Sequence, residues 1–112
     1  MATDPMDLLQ GTLDVLILRA LNAGPMHGYA VSRWIRERTS GTIDIQDAPL
    51  YKALHRLENA GCVSADWGVS ENNRRARFYS LTARGRRRFV TEDAAWRRYA
   101  AAVFAALAPE PA

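Results

Sequence analysis

The sequence predicts a mainly α-helical chain with one small β-hairpin and a long final helix, and three stretches predict it. Asp47 to Cys62 has the ends and the two-faced spacing of a short helix. Val63, Ala65 and Trp67, then Tyr79 and Leu81, alternate with their neighbours on either side of a polar loop containing Gly and Asn, as the strands of a hairpin do. From Thr82 the pattern stays helical to about Leu107, roughly 37 Å at the α-helical rise.

The first of these stretches carries the most information. Asp47 is placed to cap a helix, Pro49 suits a first turn where no N–H donor is needed, and Gly61 offers a left-handed stop. Between them Leu50, Ala53, Leu54 and Leu57 share one face. Tyr51, Lys52, His55, Arg56 and Asn59 share the other, a cationic and hydrogen-bonding surface of the kind that phosphates and base edges require.

Upstream, Leu9, Leu13, Leu16, Ile17 and Ala20 recur at helical steps from Asp7 to the break at Asn22-Ala23-Gly24-Pro25. Leu8, Val15, Leu18 and Leu21 exceed a single stripe, so two faces of this helix should be covered. His27 and Gly28 open a second helix with Val31, Trp34 and Ile35 inward, and the β-branched Thr42 to Ile45 reads as a brief strand. Trp34 and Trp67 read as core residues, His27 as a locally bonded helix-start residue, and Asn72 with Asn73 as the turn of the hairpin. In the last helix, capped by Thr82, Phe89, Trp96 and Val103 stand seven apart, flanked by Ala100, Phe104 and Leu107, a seam that a domain of about 75 residues cannot cover by itself. The expected division is a domain over residues 7–82 and an association helix over residues 83–108.

At 112 residues the chain has room for one modest core. Its 15 Lys and Arg against 12 Asp and Glu leave a net charge of only +3, but the distribution is uneven. Arg74, Arg75, Arg77, Arg84, Arg86, Arg87 and Arg88 follow one another with no acid between them, which favours a polyanionic partner over a small substrate. Arg86, Arg87 and Arg88 fit a solvated face as well as a phosphate contact. Cys62 is the single cysteine, so no intrachain disulfide is possible, and Cys62, His27 and His55 lack metal-ligand spacing. No metal or cofactor is expected. Ser64, Ser70, Ser80, His27, His55 and Asp66 are scattered without a nucleophile motif, which argues against an enzyme. Neither a signal peptide nor a membrane-length apolar run is present, and a cytoplasmic location is expected.

Helix, helix, two-faced helix and basic hairpin, in that order, make a winged helix-turn-helix whose third helix enters the major groove of DNA while the hairpin follows the backbone or minor groove. The residues also resemble the PadR-like transcriptional regulators, from Leu8 to about Tyr99. The resemblance is carried by LLQGTLDVLILRAL, GPMHGYAV, LYKALHRLENAGCV and ENNRRARFYSLTARGRR. Just before Leu50 the family commonly has Gly followed by Ser or Thr, and a Pro after the Tyr; here Ala48, Pro49 and Lys52 occupy those places, so Lys52 would replace a phosphate-binding hydroxyl.

Tyr51, Lys52, His55 and Arg56 are thus the expected groove contacts, and Arg74, Arg75 and Arg77 the expected wing contacts to duplex DNA. The resemblance implies a homodimeric repressor acting on a palindromic operator, its dimer made largely by the last helix on the partner's first helix. Leu9, Leu13, Leu16, Phe89, Trp96, Val103 and Leu107 are the expected interface. Some family members bind flat aromatic or cationic effectors between subunits, and Trp96 reads either as seam packing or as a stacking platform for such a molecule. The alternative function is a winged-helix module that binds a protein partner and no specific DNA.

Overall fold

A computed structural model describes residues 5–111, with side chains described from Gly11 onward. Its order is α1 (Pro5–Asn22), β1 (Met26–His27), α2 (Gly28–Arg38), α3 (Asp47–Asn59), β2 (Val63–Val69), β3 (Arg75–Leu81) and α4 (Ala83–Leu107). The strands form one antiparallel sheet in the order β1-β3-β2, with Ala65 opposite Tyr79 and Met26 opposite the same residue on the other side. This is a mainly helical winged helix-turn-helix with a long C-terminal helix.

The core lies where the apolar faces of the first three helices meet the base of the sheet. Ile17, Leu18, Val31, Ile35, Leu50, Leu54 and Leu57 are fully buried there, each aliphatic side chain contributing about 1.5 to 3 kcal/mol. On α3 the inward set is Leu50, Ala53, Leu54 and Leu57, as the spacing predicts. The helix ends in a Schellman arrangement: Cys62 N–H donates to the Leu57 carbonyl, Gly61 N–H donates to the Glu58 carbonyl, and Gly61 takes a φ of 76° that a side chain would strain.

That stop also starts α4. Thr82 Oγ1 accepts from Gly85 N–H at 3.0 Å and donates to the Gly61 carbonyl at 2.7 Å, and Thr82 N–H donates to the Cys62 carbonyl. A Cβ on Gly85 would run into that Cys62 carbonyl, so only glycine lets the first turn of α4 seat against the α3–β2 corner.

Four local expectations are corrected. Thr42 to Ile45 is not a strand: β1 occupies the edge of β3, while Thr39 Oγ1 accepts from Ile43 N–H at 3.1 Å and Ile43 and Ile45 plug the core. Asp47 is the first helical residue of α3 and not its cap, which is Gln46, although its charge still suits a helix N-terminus. Trp34 packs against the core but is only half-buried, its ring lying between the guanidinium groups of Arg19 and Arg38, at 5.1 and 4.9 Å from its centroid. Trp67 is not in the core at all; it is 61% exposed.

One charged residue sits inside the helical layer. Asp14 of α1 is 7% exposed; its carboxylate accepts from Arg56 Nη2 of α3 at 2.5 Å and lies 3.7 Å from Arg88 Nη2 of α4. Arg88 in turn donates from Nε to Glu92 at 2.8 Å, and that hydrogen bond holds its pKa above the ordinary arginine value. Burial of a carboxylate is tolerated because the two arginines replace the water it loses.

Removing Arg56 leaves the buried carboxylate with only the more distant Arg88, whereas removing Asp14 leaves arginines that still reach water. Arg56→Ala is therefore expected to cost more than Asp14→Ala, each about 1 to 3 kcal/mol, with the double variant falling short of the sum by at least about 0.5 kcal/mol. Urea unfolding of the four proteins measures this, and strict additivity would show that the pair carries no energy of its own.

Candidate nucleic-acid interface

The outer face of α3, the start of α2 and the hairpin enclose an open groove of about 720 Å³. Alternation along the hairpin builds one wall: Ala65, Trp67 and Val69 on β2 share a face with Arg75, Arg77 and Tyr79 on β3. Tyr79, at the base, is buried, and that burial pushes its phenol above the ordinary tyrosine pKa against the opposing pull of Arg77. Further out the same face leaves the body, and Trp67, Val69 and Arg75 are exposed.

The floor is α3. Tyr51, Lys52 and His55 are exposed on it. The ring of Tyr51 lies against the backbone of Gly28, where a Cβ would come within 2.7 Å of three of its atoms, so the glycine that opens α2 sets the position of the tyrosine. Beside it, His27 Nδ1 accepts from Ala30 N–H at 3.2 Å, capping α2 as a locally bonded residue.

Arg56 departs from the expected groove set. It lies on the flank of α3 and its guanidinium is engaged by Asp14, on the α1 side of the helix. Periodicity identifies the flank but not the buried carboxylate next to it.

At the wing, Arg74 closes the loop by accepting the Ser70 N–H on its carbonyl at 2.8 Å, while Asn73 makes the turn in the left-handed conformation at φ 59°. Arg75 lies over the Trp67 ring at 4.7 Å. Arg77 is not free: Nη2 donates to Glu58 of α3 at 3.0 Å, its guanidinium lies 6.0 Å from the Tyr79 centroid, and its Nε is buried without a partner. It acts as a strut between wing and α3. A second tie joins Arg33 of α2 to Glu71 of the loop at 3.3 Å. Tyr29, Arg33 and Trp67 line the groove although the sequence pattern assigned them no such role.

The arginines that begin α4 divide. Arg84 donates to the Ala60 carbonyl, Arg86 to the Leu81 carbonyl, Arg88 joins Asp14, and Arg87 is exposed.

The expected interface residues divide as well. Leu9 has its side chain outside the described residues. Leu13 is 5% exposed and belongs to the chain's own core, with Leu16 and Phe89 packed against it, because α4 crosses α1 of the same chain. Trp96 donates from Nε1 to Thr12 Oγ1 at 2.9 Å and keeps 41% of its surface exposed. Beyond it Tyr99, Val103, Phe104 and Leu107 remain open to solvent. Thr12 also lines an apolar cleft of about 260 Å³ with Leu13, Leu16, Ile43, Ile45 and Pro49. Among the described residues no group of His, Cys, Asp and Glu could hold a metal ion, and no helix is long and apolar enough to cross a membrane.

Fold and groove together define a winged helix-turn-helix protein with an extended C-terminal arm. The chain belongs to the PadR-like family of transcriptional regulators, whose family model matches residues 17–91. An uncharacterized protein of Lysinibacillus sphaericus is 31% identical over 80 residues, 71% of this chain and 73% of that one. A transcriptional regulator from Clostridium thermocellum is similar in structure at a TM-score of 0.82, with 27% identity over 91% of this chain and 99% of that one. A PadR family transcriptional regulator from Eggerthella lenta matches at 0.77, also 27% identical, over 94% and 89% of the two chains.

Proposed function

We propose that this transcriptional regulator is a homodimeric repressor that binds a palindromic operator with α3 in the major groove and the hairpin along the flanking backbone. The observation that carries the reading is the groove itself, in which Tyr51 and His55 of α3 face Arg74 and Arg75 of the wing. Lys52 stands exposed on the same helix. Tyr51 and His55 have donors and reach for base edges, whereas Lys52, Arg74 and Arg75 supply charge for phosphates. Arg56 stays with Asp14 and supports α3 from behind.

Counterion release provides the test. Wild-type affinity for a palindromic duplex should fall steeply with salt. Lys52→Ala should weaken specific and unrelated duplexes alike and flatten the log–log salt slope by about two, one phosphate contact per subunit. Fluorescence anisotropy on labelled duplexes measures this. Affinity that is flat in salt, or absent, would favour a module that binds a protein partner.

The dimer reading rests on the far end of α4, where Phe104 and Leu107 are 73% and 74% exposed on a helix whose inner part already covers α1. In the proposed dimer α4 is the association arm, and its exposed end lies against the partner, so that two α3 helices meet successive major grooves. Phe104→Glu should weaken self-association by about 1 to 3 kcal/mol and lower affinity for the palindrome more than for a half-site. Sedimentation velocity at micromolar concentration reads the first effect; a monomeric wild type would end the dimer reading.

Release by a planar aromatic or cationic effector is the third part of the proposal. The half-exposed Trp96 beside the Thr12 cleft supplies an apolar, π-rich surface for such a molecule. Titration of planar cationic dyes should quench tryptophan fluorescence in the wild type and much less in Trp96→Leu, with DNA released in parallel. Equal binding by both proteins would remove Trp96 from the mechanism.

A further inference from the structure

We infer that Trp67 is a DNA-contact and positioning residue of the wing, presenting its indole to the deoxyribose edge of the duplex while it holds Arg75 extended toward the phosphates. The inference rests on the DNA-binding reading above and adds to it a residue whose strand pattern suggests only a core position.

Three observations carry it. The side chain is 61% exposed although it stands on the same strand face as the buried Tyr79, so the face that packs the wing onto the body continues outward as an uncovered apolar surface that includes Val69. Within that surface Trp67 lines the groove, together with Tyr51, His55 and Arg75. Finally, the Arg75 guanidinium lies 4.7 Å from the indole centroid, and it takes part in none of the ion pairs among the described residues.

The neighbouring cations make the contrast. Arg33 is tied to Glu71 and Arg77 to Glu58. Arg75 is held by a ring instead, and a ring fixes the guanidinium without cancelling its charge. The same arginine then keeps its attraction for phosphate and forfeits little conformational freedom on binding.

The Arg77–Glu58 strut fixes the angle of the hairpin on α3. Indole and guanidinium therefore reach the duplex as one preformed surface. A duplex offers that surface matched chemistry, since deoxyribose presents apolar C–H edges between phosphates at the rim of the minor groove. Gly68, next to Trp67, is required by the opposite face, where a Cβ would lie 2.8 Å from the Phe78 ring, so the strand here is built to keep its two faces apart.

The experiment compares wild type, Trp67→Phe, Trp67→Ala, Arg75→Ala and the double alanine variant on a palindromic and an unrelated duplex, with thermal unfolding of each protein alone. Trp67→Ala should weaken both duplexes about three- to tenfold at an unchanged melting midpoint, with Trp67→Phe between it and the wild type. The double variant should lose less than the product of the single losses, because indole and guanidinium act together. DNA should also change the wild-type tryptophan emission by more than that of Trp67→Phe. Binding and emission unaffected by either Trp67 substitution would overturn the inference while leaving the DNA-binding reading intact. A wild type that binds neither duplex would instead remove that reading and the inference with it.

Discussion

The carboxylate of Asp14 joins three helices at one buried point. Arg56 brings α3 to it and Arg88 brings α4. An ion pair at a protein surface would contribute little, but this carboxylate is almost wholly withdrawn from water and can be satisfied only by the groups placed around it. The orientation of α3, the floor of the groove, is thus linked to the crossing of α4 over α1.

A second constraint sets the wing. Its root is apolar and buried at Tyr79, its middle is tied to α3 by Arg77 and Glu58, and its end is tied to α2 by Glu71 and Arg33. Three attachments of different chemistry leave the hairpin little freedom to swing. The groove is consequently formed in the free protein, which lowers the ordering that binding must impose. Within it cations are graded by their partners: those held by acids serve as struts, and Arg75, held by an indole, keeps its charge available.

The sequence was legible wherever a short-range pattern decides the outcome. Helical spacing determines that Leu50, Ala53, Leu54 and Leu57 face inward, and Gly61 stops the helix because its backbone must turn left-handed there. Thr82 caps α4 as its hydroxyl predicts, and the two alternating runs pair as a hairpin. Local propensity failed where a partner was missing or taken. Thr42 to Ile45 has the residues of a strand, yet β1 already occupies the free edge of β3, and the segment instead packs its isoleucines on the core.

By itself, then, the sequence determined the order of the four helices and the hairpin, the inward face of α3, and the run of arginines from wing to α4, because those depend on neighbours within a few residues, whereas the two-residue β1 exists only through its pairing with β3. Tertiary structure alone decided what each cation does. Arg56 is 42 positions from Asp14, Arg77 is 19 from Glu58, and Trp96 is 84 from Thr12. It also decided that Trp67 is exposed, since alternation assigns a side chain to a face of the hairpin but cannot say how far that face extends beyond the body that covers it. Charge and apolar surface act according to what stands next to them, and across such separations only the packing of α1 against α3, α4 and the sheet fixes the neighbours.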